Sequence, residues 1–215
     1  MSDIKQDTTD VPHRRSFFGR IAGLSALGLF GVATAKAQPA PSDGPNWPGP
    51  LKGRHKQVFD VYSINAGFPL GFTNNFITPN GDTGTAVMIF RHEGLPYALN
   101  SAMWEKYKVG ETLKIMDPET KAAAVKNPYF QPKPGVLGNP DAALDRLIAR
   151  GAVMGACGVA LRGQSRRLAA NAGVTPDEAF AEWSANLLPG VTVLPSGTWG
   201  VNRAQEAGCT YCAGG

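Results

Sequence analysis

Short apolar runs alternate with amphipathic segments along most of the chain, and this pattern predicts an alternating α/β domain. The clearest run, at 85–90, is TAVMIF, as expected of a parallel strand that is buried on both faces. Three more segments predict strands, namely 57–62, 152–158 and 191–194.

The segments between these runs predict helices. They are 68–76, 97–107, 141–150, 162–172, 175–188 and 198–207. The strongest start signal is Thr175 followed by Pro176 and Glu178. Threonine is a favourable N-cap, proline suits the first helical position, and a glutamate three residues after the cap completes a capping box. We therefore expect a well-defined helix after Thr175.

Segment 108–140 breaks this alternation because it contains prolines and Asn-Pro pairs, which interrupt regular elements. We expect an irregular insertion over the surface, with a short helix near 122–126. Insertions of this length serve as lids or oligomer contacts, or they are decorations without a role of their own.

The amino-terminal segment has the pattern of an export signal. Arg14 and Arg15 precede two phenylalanines, and the apolar run at 21–35 has only 15 residues. A membrane span needs about 20 residues, so the run is too short to cross a bilayer. The pattern resembles a twin-arginine signal peptide at 1–37, cleaved between Ala37 and Gln38. This predicts a periplasmic protein that is handled by the twin-arginine export machinery; the alternative is an uncut membrane anchor.

A proline-rich linker follows at 38–55, with five prolines between Gln38 and Lys52, and we expect it to be extended and poorly packed. The α/β domain then occupies 56–215. Hydrophobic residues make up 43% of the chain and charged residues 18%, which is enough apolar surface to build a core.

The charge does not indicate a nucleic-acid partner. Residues 1–37 hold five basic and three acidic residues, which leaves 16 basic and 14 acidic residues and a net charge of +2 on the remainder. No cluster of lysine and arginine interleaved with aromatic residues is present in the sequence. Motifs for nucleotide binding (G-x-G-x-x-G, P-loop) and for serine hydrolysis (G-x-S-x-G) are also missing from it.

Cys157 is the strongest candidate for chemistry. It lies near the carboxyl end of the third predicted strand, where reactive groups gather in open α/β sheets. A helix is expected shortly afterwards, with Arg162, Arg166 and Arg167 nearby. Positive charge and a helix N-terminus favour the reactive thiolate. The alternative is a buried, inert thiol.

Cys209 and Cys212 form a C-x-x-C near the end of the chain. Haem attachment is excluded because Ala213 stands where the motif needs histidine. Unpaired thiols, a disulfide in a turn, a redox pair and half of a metal site remain open. A strand and a disulfide between these two cysteines exclude each other, since residues three apart in a strand point to opposite faces.

Two more strand ends carry candidate ligand-binding groups. Arg91 and His92 follow the second predicted strand, and histidine there could act as a base or a ligand. Ser196 follows the fourth strand and precedes a helix, so its neighbourhood could hold an anion. The plainer interpretation of Ser196 is an N-cap.

Three stretches resemble the DsrE/DsrF-like family of sulfur-relay proteins. They are 150–161 around Cys157, 188–197, and 203–211, within an overall match over 56–211 that leaves the insertion out. The resemblance implies a flavodoxin-like open parallel sheet of four or five strands with helices on both faces, and a homo-oligomer. It also implies that Cys157 accepts sulfur as a persulfide, with a donor and an acceptor protein as partners.

Three hypotheses of function follow. In the first, Cys157 carries sulfur or performs thiol redox chemistry, helped by Arg91 or His92. In the second, the chain is a non-catalytic binding or assembly protein. In the third, it binds a metal through His92 and the three cysteines, Cys157, Cys209 and Cys212.

Overall fold

Five parallel strands form an open sheet in the part of the chain that the computed structural model describes, residues 45–215. The strands are β1 (His55–Val61), β2 (Gly84–Phe90), β3 (Val153–Cys157), β4 (Val191–Leu194) and β5 (Thr210–Ala213). Their order across the sheet is β4-β3-β2-β1-β5. The predicted open, flavodoxin-like α/β sheet is therefore confirmed. The proposed signal peptide and the start of the linker lie outside the described residues.

The helices lie on both faces of the sheet, as predicted. They are α1 (Phe68–Asn80), α2 (Ser101–Lys106), α3 (Val109–Leu113), α4 (Leu144–Ala149), α5 (Gly158–Leu168), α6 (Pro176–Ala185) and α7 (Gly197–Glu206). No helix among residues 45–215 is both long enough and apolar enough to cross a membrane.

The two faces are covered unequally, and the strand order explains why. From β1 to β4 the chain always moves to the next strand in the same direction, so right-handed crossovers place the helices between them on one face. That face holds the larger core, which includes Phe59, Met88 and Trp183. The return from β4 to β5 runs in the opposite direction and places α7 on the other face.

The second face has a thinner cover, in which small residues of α7 pack together with Trp47 and the partly buried Trp199. Gly197, Gly200 and Ala204 of α7 are buried, and a Cβ added at Gly200 would lie 2.5 Å from the side chain of Leu194. Trp47 is only 7% exposed and packs beside α7 against this face. The expectation of a poorly packed linker is therefore wrong at Trp47, because an indole ring completes this smaller core.

Several boundaries differ from the sequence prediction. Thr175 caps α6 with the complete predicted capping box, but α5 begins at Gly158, four residues earlier than expected. The short helix predicted near 122–126 is wrong; Ala123 forms an antiparallel bridge with Met116, and the one α-helix inside the insertion among the described residues is α3. A 3-10 helix at His92–Ala98 precedes α2.

Candidate functional site

Cys157 is the last residue of β3 and also the N-cap of α5. Its Sγ accepts a hydrogen bond from the backbone N–H of Ala160 at 3.4 Å. The side chain is 7% exposed, so the thiol is buried. The strand passes directly into the helix because Gly158 follows: a Cβ there would lie 2.5 Å from the carbonyl oxygen of Leu194 on the neighbouring strand.

The three arginines predicted near Cys157 all lie on α5, and none of them forms a hydrogen bond with its Sγ. Arg162 stacks over the ring of Phe180 at 3.8 Å and lies 3.7 Å from Asp177. Arg166 and Arg167 belong to the last turn of the helix, where positive charge favours the helix dipole. The hydrogen bond to the Cys157 Sγ comes instead from a backbone N–H in the first turn of α5.

Two cavities meet at the first turns of α5. A larger one of about 870 Å³ is lined by Ala160 and Gly163, and a smaller one of about 580 Å³ is lined by Gly158 and Gly163. Cys157 itself lines neither of them. The thiol thus lies beneath a helix turn that borders both cavities.

Arg91 is held in an ion pair. Its Nε and Nη2 each donate to a carboxylate oxygen of Asp60 at 2.6 Å, and Tyr211 donates its hydroxyl to the same carboxylate at 3.0 Å. The hydrogen bond to Asp60 raises the pKa of Arg91 above its ordinary value, so the guanidinium stays charged. Asp60 is 4% exposed and Arg91 is 26% exposed, so the pair is a partly buried structural contact in which the carboxylate is the buried member.

His92 lies at the rim of the larger cavity. Its ring stacks on Tyr62 with centroids 4.2 Å apart, and its backbone adopts a left-handed φ of 47°. Its carbonyl oxygen accepts a hydrogen bond from Gln164 Nε2 at 2.6 Å. His92 therefore lies at a strand end, where the sequence places it, and borders a cavity.

Ser196 caps α7. Its hydroxyl accepts a hydrogen bond from the backbone N–H of Trp199 at 3.1 Å and lies 3.1 Å from the hydroxyl of Thr198. The N-cap interpretation is thus the one that the structure shows.

Cys209 immediately precedes β5 and Cys212 lies within it, and their side chains pack against different cores. Cys209 packs into the smaller core and Cys212 against the larger one, so the two thiols lie on opposite faces of the sheet. The three cysteines are free thiols. Within residues 45–215 no three histidine, cysteine or acidic side chains are grouped so as to hold a metal ion. The metal set proposed from sequence, Cys157, Cys209, Cys212 and His92, is not assembled.

Burial makes Cys209 a weak nucleophile and makes the free energy of unfolding depend on pH. Burial raises the pKa of the Cys209 thiol to about 11, above the ordinary value of about 8.5. A raised folded-state pKa gives stability that is complete below the unfolded-state pKa and is lost as the pH rises toward 11. Between about pH 8.5 and 11, the free energy of unfolding should fall less steeply in Cys209→Ala than in the wild type. Urea titrations at several pH values measure this; parallel slopes would contradict it.

The larger cavity is a feature that the sequence did not reveal. Segments that follow β1, β2 and β3 form part of its wall, and residues 112–116 and Tyr129 of the insertion form the rest. Tyr97 also lines it and is almost fully buried. Proline content indicated where the insertion lies, but no spacing in it indicated which side chains reach the sheet edge.

Comparison of the chain with protein-family models, curated proteins and solved structures finds no match. The evidence for the fold is therefore the structure itself. The resemblance to DsrE/DsrF-like proteins remains a prediction from three sequence segments.

Proposed function

We propose that the mature chain is an exported, DsrE-like sulfur carrier in which Cys157 accepts sulfane sulfur as a persulfide. The observation that supports this most is the Cys157 Sγ at the N-terminus of α5, within hydrogen-bonding distance of the Ala160 N–H. A helix N-terminus stabilises negative charge, and both a thiolate and a persulfide anion carry it.

The transfer step needs only the thiolate and a donor. The Cys157 thiolate attacks a terminal sulfur of an inorganic tetrasulfide dianion, forming one S–S bond while the donor's own S–S bond breaks. The products are a Cys157 persulfide anion and a trisulfide dianion. Total charge and sulfur count are unchanged, and no external oxidant or reductant takes part.

Burial of the thiol favours a small donor over a protein donor. With 7% of Cys157 exposed, a folded partner has little access to Sγ, whereas a chain of a few sulfur atoms needs far less space to reach it. The same burial would protect a stored persulfide from protein thiols. We therefore assign the release step to a small-molecule acceptor thiol.

The cellular setting belongs to the same proposal. The twin-arginine pattern at 1–37 supports export to the periplasm, and the DsrE-like segments support a homo-oligomer.

Sulfur loading is testable on the folded protein. After brief exposure to inorganic tetrasulfide and removal of the excess, we expect an adduct of about 32 Da, or a multiple of it, that reductant removes. Intact mass spectrometry measures the adduct, and Cys157→Ser should abolish it. Serine is itself a favoured N-cap, so this variant can still accept the Ala160 N–H and keep its fold.

The matched control is the double variant Cys209→Ser, Cys212→Ser. Burial raises the pKa of both thiols, so they are poor nucleophiles near neutral pH and their removal should leave the adduct in place. An adduct that persists in Cys157→Ser and disappears in the double variant would overturn the proposal, as would a wild-type protein that takes up no sulfur.

A further inference from the structure

We propose that the larger cavity at the carboxyl edge of the sheet is a binding site for a small amphipathic anion: a molecule with a flat apolar body, one hydrogen-bond donor and one carboxylate or sulfonate group. The inference is independent of sulfur chemistry, because Cys157 does not line this cavity. Its volume of about 870 Å³ falls in the range of small-molecule sites.

The first observation is a buried acceptor without a partner. Gln164 Nε2 donates to the carbonyl oxygen of His92, and this bond fixes which end of the amide is nitrogen. Gln164 Oε1 is then a buried oxygen that accepts no hydrogen bond from any residue in 45–215. Leaving such a group unpaired costs free energy, and an N–H of a ligand in the cavity would satisfy it.

The second observation is a pair of buried phenols. Tyr97 is 4% exposed and Tyr129 is 6% exposed, and their ring centroids are 5.6 Å apart. Neither hydroxyl forms a hydrogen bond to another residue in the described part of the chain, and neither oxygen is fully buried, so both hydroxyls are accessible from the cavity. Burial raises the pKa of both tyrosines, so both hydroxyls stay protonated and can donate to an acceptor in the cavity.

The rest of the wall sets the shape and charge of the ligand. Apolar side chains form much of it, among them Ile64, Leu113 and Ile115. Its charged and titratable members, besides the two tyrosines, are His92, Glu93, Lys114 and Arg167. Neither Lys114 nor Arg167 has an ion-pair partner within residues 45–215, and together they outweigh Glu93. An anion is the charge that this rim favours.

The backbone of the wall is also held in an uncommon conformation. Ala66, His92 and Lys114 have φ values of 52°, 47° and 59°, in the left-handed region that residues other than glycine rarely adopt. Strain of this kind concentrates at ligand sites. These three residues line the same cavity as Gln164 and the two tyrosines, which supports its role as a binding site.

Anilinonaphthalene sulfonate is a suitable probe, because it has an aromatic body, one N–H and one sulfonate. We expect saturable binding to the folded wild-type protein, measured by fluorescence titration. The double variant Lys114→Gln, Arg167→Gln should weaken binding by about tenfold or more, since hydrogen bonds to charged groups are the stronger ones. The charge-matched control is Lys121→Gln, Arg166→Gln, whose residues do not line the cavity, and it should bind like the wild type.

The buried phenols supply a second readout. Tyr97→Phe with Tyr129→Phe should weaken binding of the probe severalfold and leave the denaturation midpoint unchanged, because the hydroxyls have no protein partner to lose. Cys157→Ser should bind the probe normally, which separates this inference from the sulfur proposal. Equal weakening in the cavity and control charge variants, or no saturable binding, would overturn the inference.

Discussion

Replacing Arg91 by methionine is expected to lower the free energy of unfolding by about 3–5 kcal/mol. The substitution leaves the Asp60 carboxylate, 4% exposed, with the hydroxyl of Tyr211 as its one remaining side-chain hydrogen bond. Breaking a buried pair from one side is costly because the other charge stays buried without compensation. Chemical denaturation of the purified domain measures the loss.

A double-mutant cycle separates this ion pair from simple loss of packing. Asp60→Ala combined with Arg91→Met removes both charges, and we expect a coupling free energy of about 1.5–3 kcal/mol between the two sites. Additive losses would mean that the pair contributes little. A loss below about 1 kcal/mol in Arg91→Met alone would contradict the structural role, since exposed pairs contribute no more than that.

The same pair fixes how α7 approaches the sheet. A Cβ added at Gly197 would lie 2.6 Å from the Cδ of Arg91, so the start of α7 rests on the arginine side chain. The residue that the sequence suggested as a ligand-binding group therefore joins three elements, β1, β2 and α7, at the carboxyl edge. In the proposed sulfur carrier, Arg91 would support that edge of the sheet.

Replacing Trp47 by alanine is the second large effect that we expect, with a loss of about 3–5 kcal/mol. The indole ring is 7% exposed and shares the smaller core with Val58, Val87 and Ile89. Since α7 is the one helix on this face of the described structure, removal of the ring leaves a cavity that few side chains can fill. Urea denaturation reports the loss as a lower midpoint.

Trp47→Phe is the matched control. The buried Nε1 of Trp47 has no hydrogen-bond partner among the described residues, and phenylalanine removes this unsatisfied group while keeping an aromatic ring. We expect a clearly smaller loss than in Trp47→Ala. If both variants are as stable as the wild type, the segment before β1 does not belong to the folded domain.

Local chemistry made much of the fold predictable. The strands came from apolar runs such as 85–90, which a strand buried on both faces requires, and α6 came from the capping box that Thr175 and Glu178 form. These signals act within a few residues of the chain, so a single sequence reveals them. The crossover rule then explains which face each helix covers once the strand order is known.

Long-range packing accounts for what the sequence did not show. A charged residue within an apolar strand, Asp60, gave no sign that it would meet Arg91, 31 positions later. Trp47 stands among prolines that predicted an unpacked linker, yet its ring completes a core. The cavity wall depends on Lys114 and Tyr129 from an insertion without periodicity. Each of these features needs a partner that is distant in sequence.

Protein recovered from the compartment to which it is exported shows whether Cys157 carries sulfur in the cell. The sample is alkylated at once without reductant, digested, and analysed by peptide mass spectrometry. We expect the Cys157 peptide to carry at least one extra sulfur atom, about 32 Da, between the cysteine and the alkyl group. The Cys209 and Cys212 peptide should carry none. A Cys157 peptide alkylated without extra sulfur, even after growth with polysulfide, would show that this thiol does not carry sulfur.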